Sequence, residues 1–136
     1  MKTLPTDIQI LDAIYERYYE SFTTYSKTDK NRSSKIYVPI DVKALAVDLK
    51  VDPDIIFGRL YYHLEEKYGY RQDDDGSRVH FFALGVGGDR HCINFPYMAS
   101  VLASLRDENR KYRIATGFSI ASLILSVIAL LISIYG

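Results

Sequence analysis

Tryptophan is absent from this chain of 136 residues, and cysteine occurs once, at Cys92. A single cysteine excludes an intrachain disulfide and accords with a reducing compartment. An excess of either charge is also missing, because 17 basic side chains face 17 acidic ones. The strongly basic balance of a dedicated nucleic-acid binder is therefore not present. No signal peptide is expected at the N-terminus, since acidic residues interrupt the apolar positions of MKTLPTDIQILDAIYERYYE. The most informative absence is at the other end. No charged side chain occurs after Arg113, and residues 114–136 read IATGFSIASLILSVIALLISIYG.

About 22 uncharged residues at ~1.5 Å rise span roughly 33 Å, enough to cross a hydrocarbon core of ~30 Å. A domain of this size cannot cover such a helix on every side, so a transmembrane helix over 114–135 is expected. Arg106, Arg110, Lys111 and Arg113 precede it, and only Gly136 follows Tyr135. Basic flanks are retained in the cytoplasm, which predicts an N-terminal domain inside and a C-terminus on the far side. No apolar segment lies upstream, so the expected class is tail-anchored and single-pass.

Within the anchor, Ala115, Ser119, Ser122, Ser126, Ala129 and Ser133 are spaced alternately by four and three residues. That spacing puts them on one stripe of a helix, with Ile120, Leu123, Leu125, Ile128, Leu130 and Leu131 on much of the remainder. Small side chains let helix backbones approach closely, and a 3–4 alternation suits a left-handed pair. Self-association into a homo-oligomer is expected, against the alternative that Ser and Ala are simply common in membrane helices. Upstream, Tyr112, Leu105, Val101 and Met98 continue the stripe, interrupted by Glu108. Pro96 suits the first turn of this helix and Asn94 is a candidate cap. Residues 97–113 are read as a juxtamembrane stalk continuous with the anchor, unless Met98, Val101, Leu102 and Leu105 pack on the cytoplasmic domain instead.

The charge is unevenly divided. Residues 1–95 hold 13 Lys and Arg against 15 Asp and Glu, whereas residues 96–113 hold 4 against 2. In the N-terminal part, Ile8, Leu11, Ile14, Tyr15, Tyr18 and Phe22 recur at helical spacing after a Thr6–Gln9 capping box. A polar loop leads to the short apolar run Ile36-Tyr37-Val38. Asp41 is placed to cap a second helix with Val42, Leu45, Ala46 and Leu49 on one face. After the turn Lys50-Val51-Asp52, Asp52 caps a third helix with Pro53 at its first position, reaching about Tyr68. A hairpin follows, Tyr70–Gln72 and Arg78–Phe82, turning at Asp73-Asp74-Asp75-Gly76.

This order of elements, with ALAVDLKVDPDIIFGRL at its centre, resembles a winged helix-turn-helix domain over residues 7–84. The expected class is α+β: residues 1–84 as the winged-helix domain, 85–96 as a Gly-rich linker, 97–113 as stalk and 114–135 as anchor. The resemblance implies a third helix in the DNA major groove, with Asp54, Ile55, Gly58, Arg59 and Tyr62 facing the bases. Only Arg59 suits a bidentate contact to guanine, and three aspartates at the wing tip repel phosphate. Lys27, Lys30, Arg32 and Lys35 in the first loop are the one basic cluster. It is read as a solvated loop, as a DNA phosphate contact, or as an attraction to anionic lipid.

The third helix carries more aromatic surface than a core requires. Phe57, Arg59, Tyr61 and Tyr62 are the expected partner-binding residues, since exposed aromatics anchor interfaces. No catalytic or metal site is expected. His63, His80, His91 and Cys92 lack metal-finger spacing, and Gly85-Val86-Gly87-Gly88-Asp89 lacks the lysine of a phosphate loop. No cofactor is called for. The preferred expectation is a membrane-bound, self-associating protein whose cytoplasmic domain recruits an unidentified protein partner. A membrane-tethered DNA-binding regulator is the alternative, and a small membrane-perturbing effector a second one.

Overall fold

The computed structural model describes residues 3–26, 31–72 and 76–136. It is an α+β structure ending in a long helix, and it divides into two compact units, residues 1–102 and 103–136.

In the first unit, helix α1 (Asp7–Thr23) begins at the expected capping box, in which Thr6 and Gln9 exchange side-chain-to-backbone bonds. Its buried side chains are Ile10, Leu11 and Ile14, so the inward face is rotated toward Ile10. The polar loop carries the chain to strand β1 (Tyr37–Pro39). Helix α2 (Val42–Leu49) starts where Asp41 accepts the Ala44 N–H, and it buries Leu45 and Ala46. It stops at Lys50, which adopts a left-handed conformation with φ 58°. Asp52 caps α3 (Pro53–Gly58) by accepting the Asp54 N–H. That helix passes into a π-helical stretch (Arg59–Leu64) and ends as α4 (Glu65–Tyr68). Ile56, Leu60 and Leu64, at four-residue spacing, hold its inner side.

The hairpin after α4 differs from its expected extent. Strands β2 (Tyr70–Arg71) and β3 (Arg78–Val79) pair over two residues each. The chain then leaves this sheet, because the Glu65 carboxylate takes the N–H groups of Phe81 and Phe82. The aspartates expected at the turn lie outside the described residues.

Residues 85–96 do not form a flexible link. Strand β4 (Phe82–Val86) turns through Gly87 and Gly88 into β5 (Asp89–Asn94), and β5 also pairs with β1. The resulting antiparallel sheet has the order β1-β5-β4. Gly87 has φ +59°, and a side chain there would collide with Ser33, so this glycine makes the tight turn. Burial follows the ends of these strands and not an alternation, with Ala83, Cys92 and Ile93 buried and Leu84 and Arg90 exposed.

Helix α5 (Phe95–Tyr135) starts at Asn94, whose side chain accepts the Tyr97 N–H as expected of a cap. Phe95, Met98, Val101 and Leu102 are buried in the first unit. Met98 and Val101 are thus core residues rather than an exposed stalk stripe. Leu105 is half-buried and Tyr112 is exposed. In the second unit every residue from Arg110 onward is exposed, and the helix is long and apolar enough to cross a membrane. Lys111 pairs with Asp107 one turn earlier, at 3.1 Å.

Candidate functional site

The outer side of the third helix carries exposed aromatic side chains. Tyr62 is 73% exposed and Tyr61 37% exposed. Their rings meet edge to face at 5.0 Å, and Tyr61 stacks on Phe57 at 5.5 Å. Phe57 is half-buried, wedged also against Phe82 and His91. A π-helical stretch widens the turn and shifts which side chains point outward. Here it spans Arg59–Leu64 and so includes both tyrosines.

Arg59 does not belong to that surface. Its guanidinium bonds the Pro5 carbonyl at 2.6 Å and pairs with Asp7. The bond ties the third helix to the N-terminus of α1, where a carboxylate is also favoured by the helix dipole. His63 approaches the same Asp7 at 3.5 Å. Of the four expected partner-binding residues, Phe57, Tyr61 and Tyr62 are therefore brought together, and Arg59 is held elsewhere.

The basic cluster of the first loop is reduced by the same kind of observation. Lys27 and Lys30 lie outside the described residues. Arg32 is 93% buried, not solvated. Its guanidinium donates to the carbonyls of Ser21, Phe22, Ser34 and Lys35 at 2.8 to 3.3 Å and lies over the Tyr25 ring. Ser21 and Phe22 belong to the last turn of α1, whose carbonyls have no partner within the helix. A planar fork of donors satisfies them, and a cation there complements the dipole. Burial lowers the Arg32 pKa from its usual value, opposed by Tyr25 and Asp89. Lys35 is exposed, with its ammonium 5.4 Å from the Phe22 ring centre. Arg32 is thus a structural residue.

Sequence reasoning missed Glu65. This carboxylate is 91% buried and accepts four hydrogen bonds, from Arg78, His80 and the N–H groups of Phe81 and Phe82. Burial alone would raise its pKa, but the Arg78, Phe82, His80 and Phe81 bonds together lower it below the ordinary value of 4.5. Gly69 belongs to the same arrangement. A Cβ there would lie 2.7 Å from both the Glu65 carbonyl and its carboxylate. The only sequence signal was a glutamate four residues before a glycine.

The metal-ligand types lie in separate places. His63 faces Asp7, His80 faces Glu65, and His91 packs between Phe57 and Phe82. Cys92 is buried, and burial, then Asp89, pushes its thiol up to about 11. It stays protonated at neutral pH.

In the second unit, Ala115, Ser119, Ser122, Ser126, Ala129 and Ser133 are all exposed, as are the larger side chains around them. Ser126 Oγ donates to the Ser122 carbonyl at 2.9 Å, so this hydroxyl is satisfied within its own helix.

Comparison with protein-family models, with curated proteins and with solved structures returns no match.

Proposed function

We propose that this chain is a single-pass membrane protein that self-associates through its anchor and presents residues 3–102 as a cytoplasmic protein-interaction module. The observation that carries the module reading is the state of the third helix. Its Tyr61 and Tyr62 are exposed, while its only arginine is engaged with Asp7 and Pro5. A surface with Tyr61 and Tyr62 outward and its cation withdrawn suits a protein partner better than a base edge or phosphate.

The winged-helix reading is kept as part of this proposal, with one change. The hairpin that pairs with β1 is β4–β5, which supports a wing at Gly87-Gly88 in place of one at the aspartate turn. Loss of Arg32 from the basic loop weakens the DNA-binding alternative further. The anchor reading is supported by the exposed apolar helix, its small-residue stripe and the basic residues from Arg106 to Arg113.

The test uses the full chain in nanodiscs of neutral lipid, titrated against fluorescent random duplex DNA at low and moderate salt. No saturable change in anisotropy is expected. Binding that weakens steeply with salt would overturn the reading in favour of a membrane-tethered regulator.

A further inference from the structure

Lys43 and Val47 are exposed on α2, Lys50 is exposed at its left-handed end, and Leu45 is buried on the inner side. Val47 is 76% exposed. Lys43, Val47 and Lys50 border an open groove of about 660 Å³, where Leu4 from the N-terminal arm and Ile55 from α3 add apolar walls and Val51 adds floor. Leu4 is 65% exposed and Ile55 41% exposed.

Asp48 is paired with Arg17 at 2.9 Å, and Asp52 accepts the Asp54 N–H as a helix cap while keeping its charge. The lining thus holds two lysines against one carboxylate. Among the described residues neither Lys43 nor Lys50 forms an ion pair. Lys50 also occupies a left-handed helix end, a conformation that glycine adopts without strain. A lysine kept there holds its ammonium at the groove rim. The groove is therefore mainly apolar, with the ammonium-bearing Lys43 and Lys50 and the carboxylate of Asp52 in its lining.

We propose that this groove docks an acidic amphipathic helix of a partner protein. Apolar side chains at three- and four-residue spacing would enter the bed between Leu4 and Ile55. Carboxylates on the same helix would meet Lys43 and Lys50. The walls are helices and a turn with no open strand edge, which favours a helical occupant over an extended one. An apolar bed suits neither phosphate nor nucleic acid. The inference rests on the module reading above and names the partner chemistry, at a surface distinct from Tyr61 and Tyr62.

The test is fluorescence anisotropy with the full chain in nanodiscs of neutral lipid. The probe is a labelled amphipathic peptide of about 18 residues, five helical turns, with a leucine stripe flanked by glutamates. Glutamine and lysine versions serve as comparisons. The glutamate peptide is expected to bind saturably, and at least about tenfold more weakly to a Lys43→Glu/Lys50→Glu double variant. The lysine peptide is expected to prefer that double variant, and Val47→Asp to abolish binding of both. All three positions are exposed, and circular dichroism would verify that the variants fold. Absence of saturable binding, or equal affinity for all three peptides, would overturn the proposal. So would binding that survives charge reversal, which would assign the groove to an uncharged occupant such as a second copy. Loss of binding in Tyr62→Ala alone would overturn the groove assignment while leaving the module reading intact.

Discussion

Glu65 Oε1 accepts the backbone N–H of Phe81 at 2.6 Å, joining the end of the third helix to the point where the chain leaves one sheet for another. The same oxygen accepts the Phe82 N–H, and the other oxygen takes Arg78 and His80. Removing the carboxylate leaves two buried donors and a guanidinium without their acceptor. Glu65→Ala is expected to lower stability by roughly 3 kcal/mol, since each orphaned buried donor costs about 1–3 kcal/mol. Urea unfolding of the wild type and the variant would measure it. A change within about 0.5 kcal/mol would contradict the assignment.

The same carboxylate makes stability depend on pH in a definite direction. Its folded pKa lies below the unfolded value, so its stabilisation is complete above about pH 4.5 and is lost as pH falls through the folded value. The urea midpoint of the wild type is expected to fall as pH drops below about 4.5. Glu65→Gln is expected to start lower and to change less over that range.

Gly69 is required by space and not by conformation, because its φ is an ordinary −63°. Gly69→Ala would drive a methyl group into the Glu65 carbonyl and carboxylate. A loss of roughly 1–3 kcal/mol is expected, the usual cost of overpacking. A thermal melt would show it as a lowered midpoint.

Arg32 is expected to matter for stability and not for phosphate binding. Arg32→Ala should cost roughly 1–3 kcal/mol, and Arg32→Lys should recover only part of that. A lysine carries charge to the end of α1 but lacks the fork that reaches four carbonyls. Chemical unfolding of both variants, alongside their binding to anionic vesicles, would separate the two roles.

The first unit ends beyond the hairpins. Met98, Val101 and Leu102 are buried, each contributing on the order of 1.5–3 kcal/mol. Together they approach the whole stability of a small domain, about 5–15 kcal/mol. A fragment ending at residue 95 is expected to be largely unfolded, and one ending at residue 110 to fold cooperatively. Far-UV dichroism with urea titration distinguishes them.

Much of the local structure was legible because its signals are short-range. The Thr6–Gln9 box, the Asp41 and Asp52 caps, Pro53 at a first turn and Asn94 before α5 each act within three residues. What escaped depends on distant partners. Gly85 to Gly88 suggested a link, yet β5 is fixed by pairing with β1, more than fifty residues earlier. Arg32 looked solvated because nothing nearby in sequence shows that the end of α1 returns to it. Arg59 looked available for the same reason, since Asp7 lies 52 residues away. Met98 and Val101 fitted a stripe leading into the anchor equally well, because one helical period serves a core and a dimer seam alike.

We propose above all that residues 114–135 cross a membrane and leave the first unit in the cytoplasm. Cys92 is buried and protonated, so an introduced cysteine would be the reactive thiol. Lys50→Cys and Gly136→Cys variants, in sealed right-side-out and inverted vesicles, would be treated with a membrane-impermeant maleimide. Lys50→Cys is expected to label only when the cytoplasmic face is outward, Gly136→Cys only in the opposite orientation, and both proteins to resist alkaline extraction. Labelling of both positions from one side, or release of the protein by alkali, would contradict the proposal.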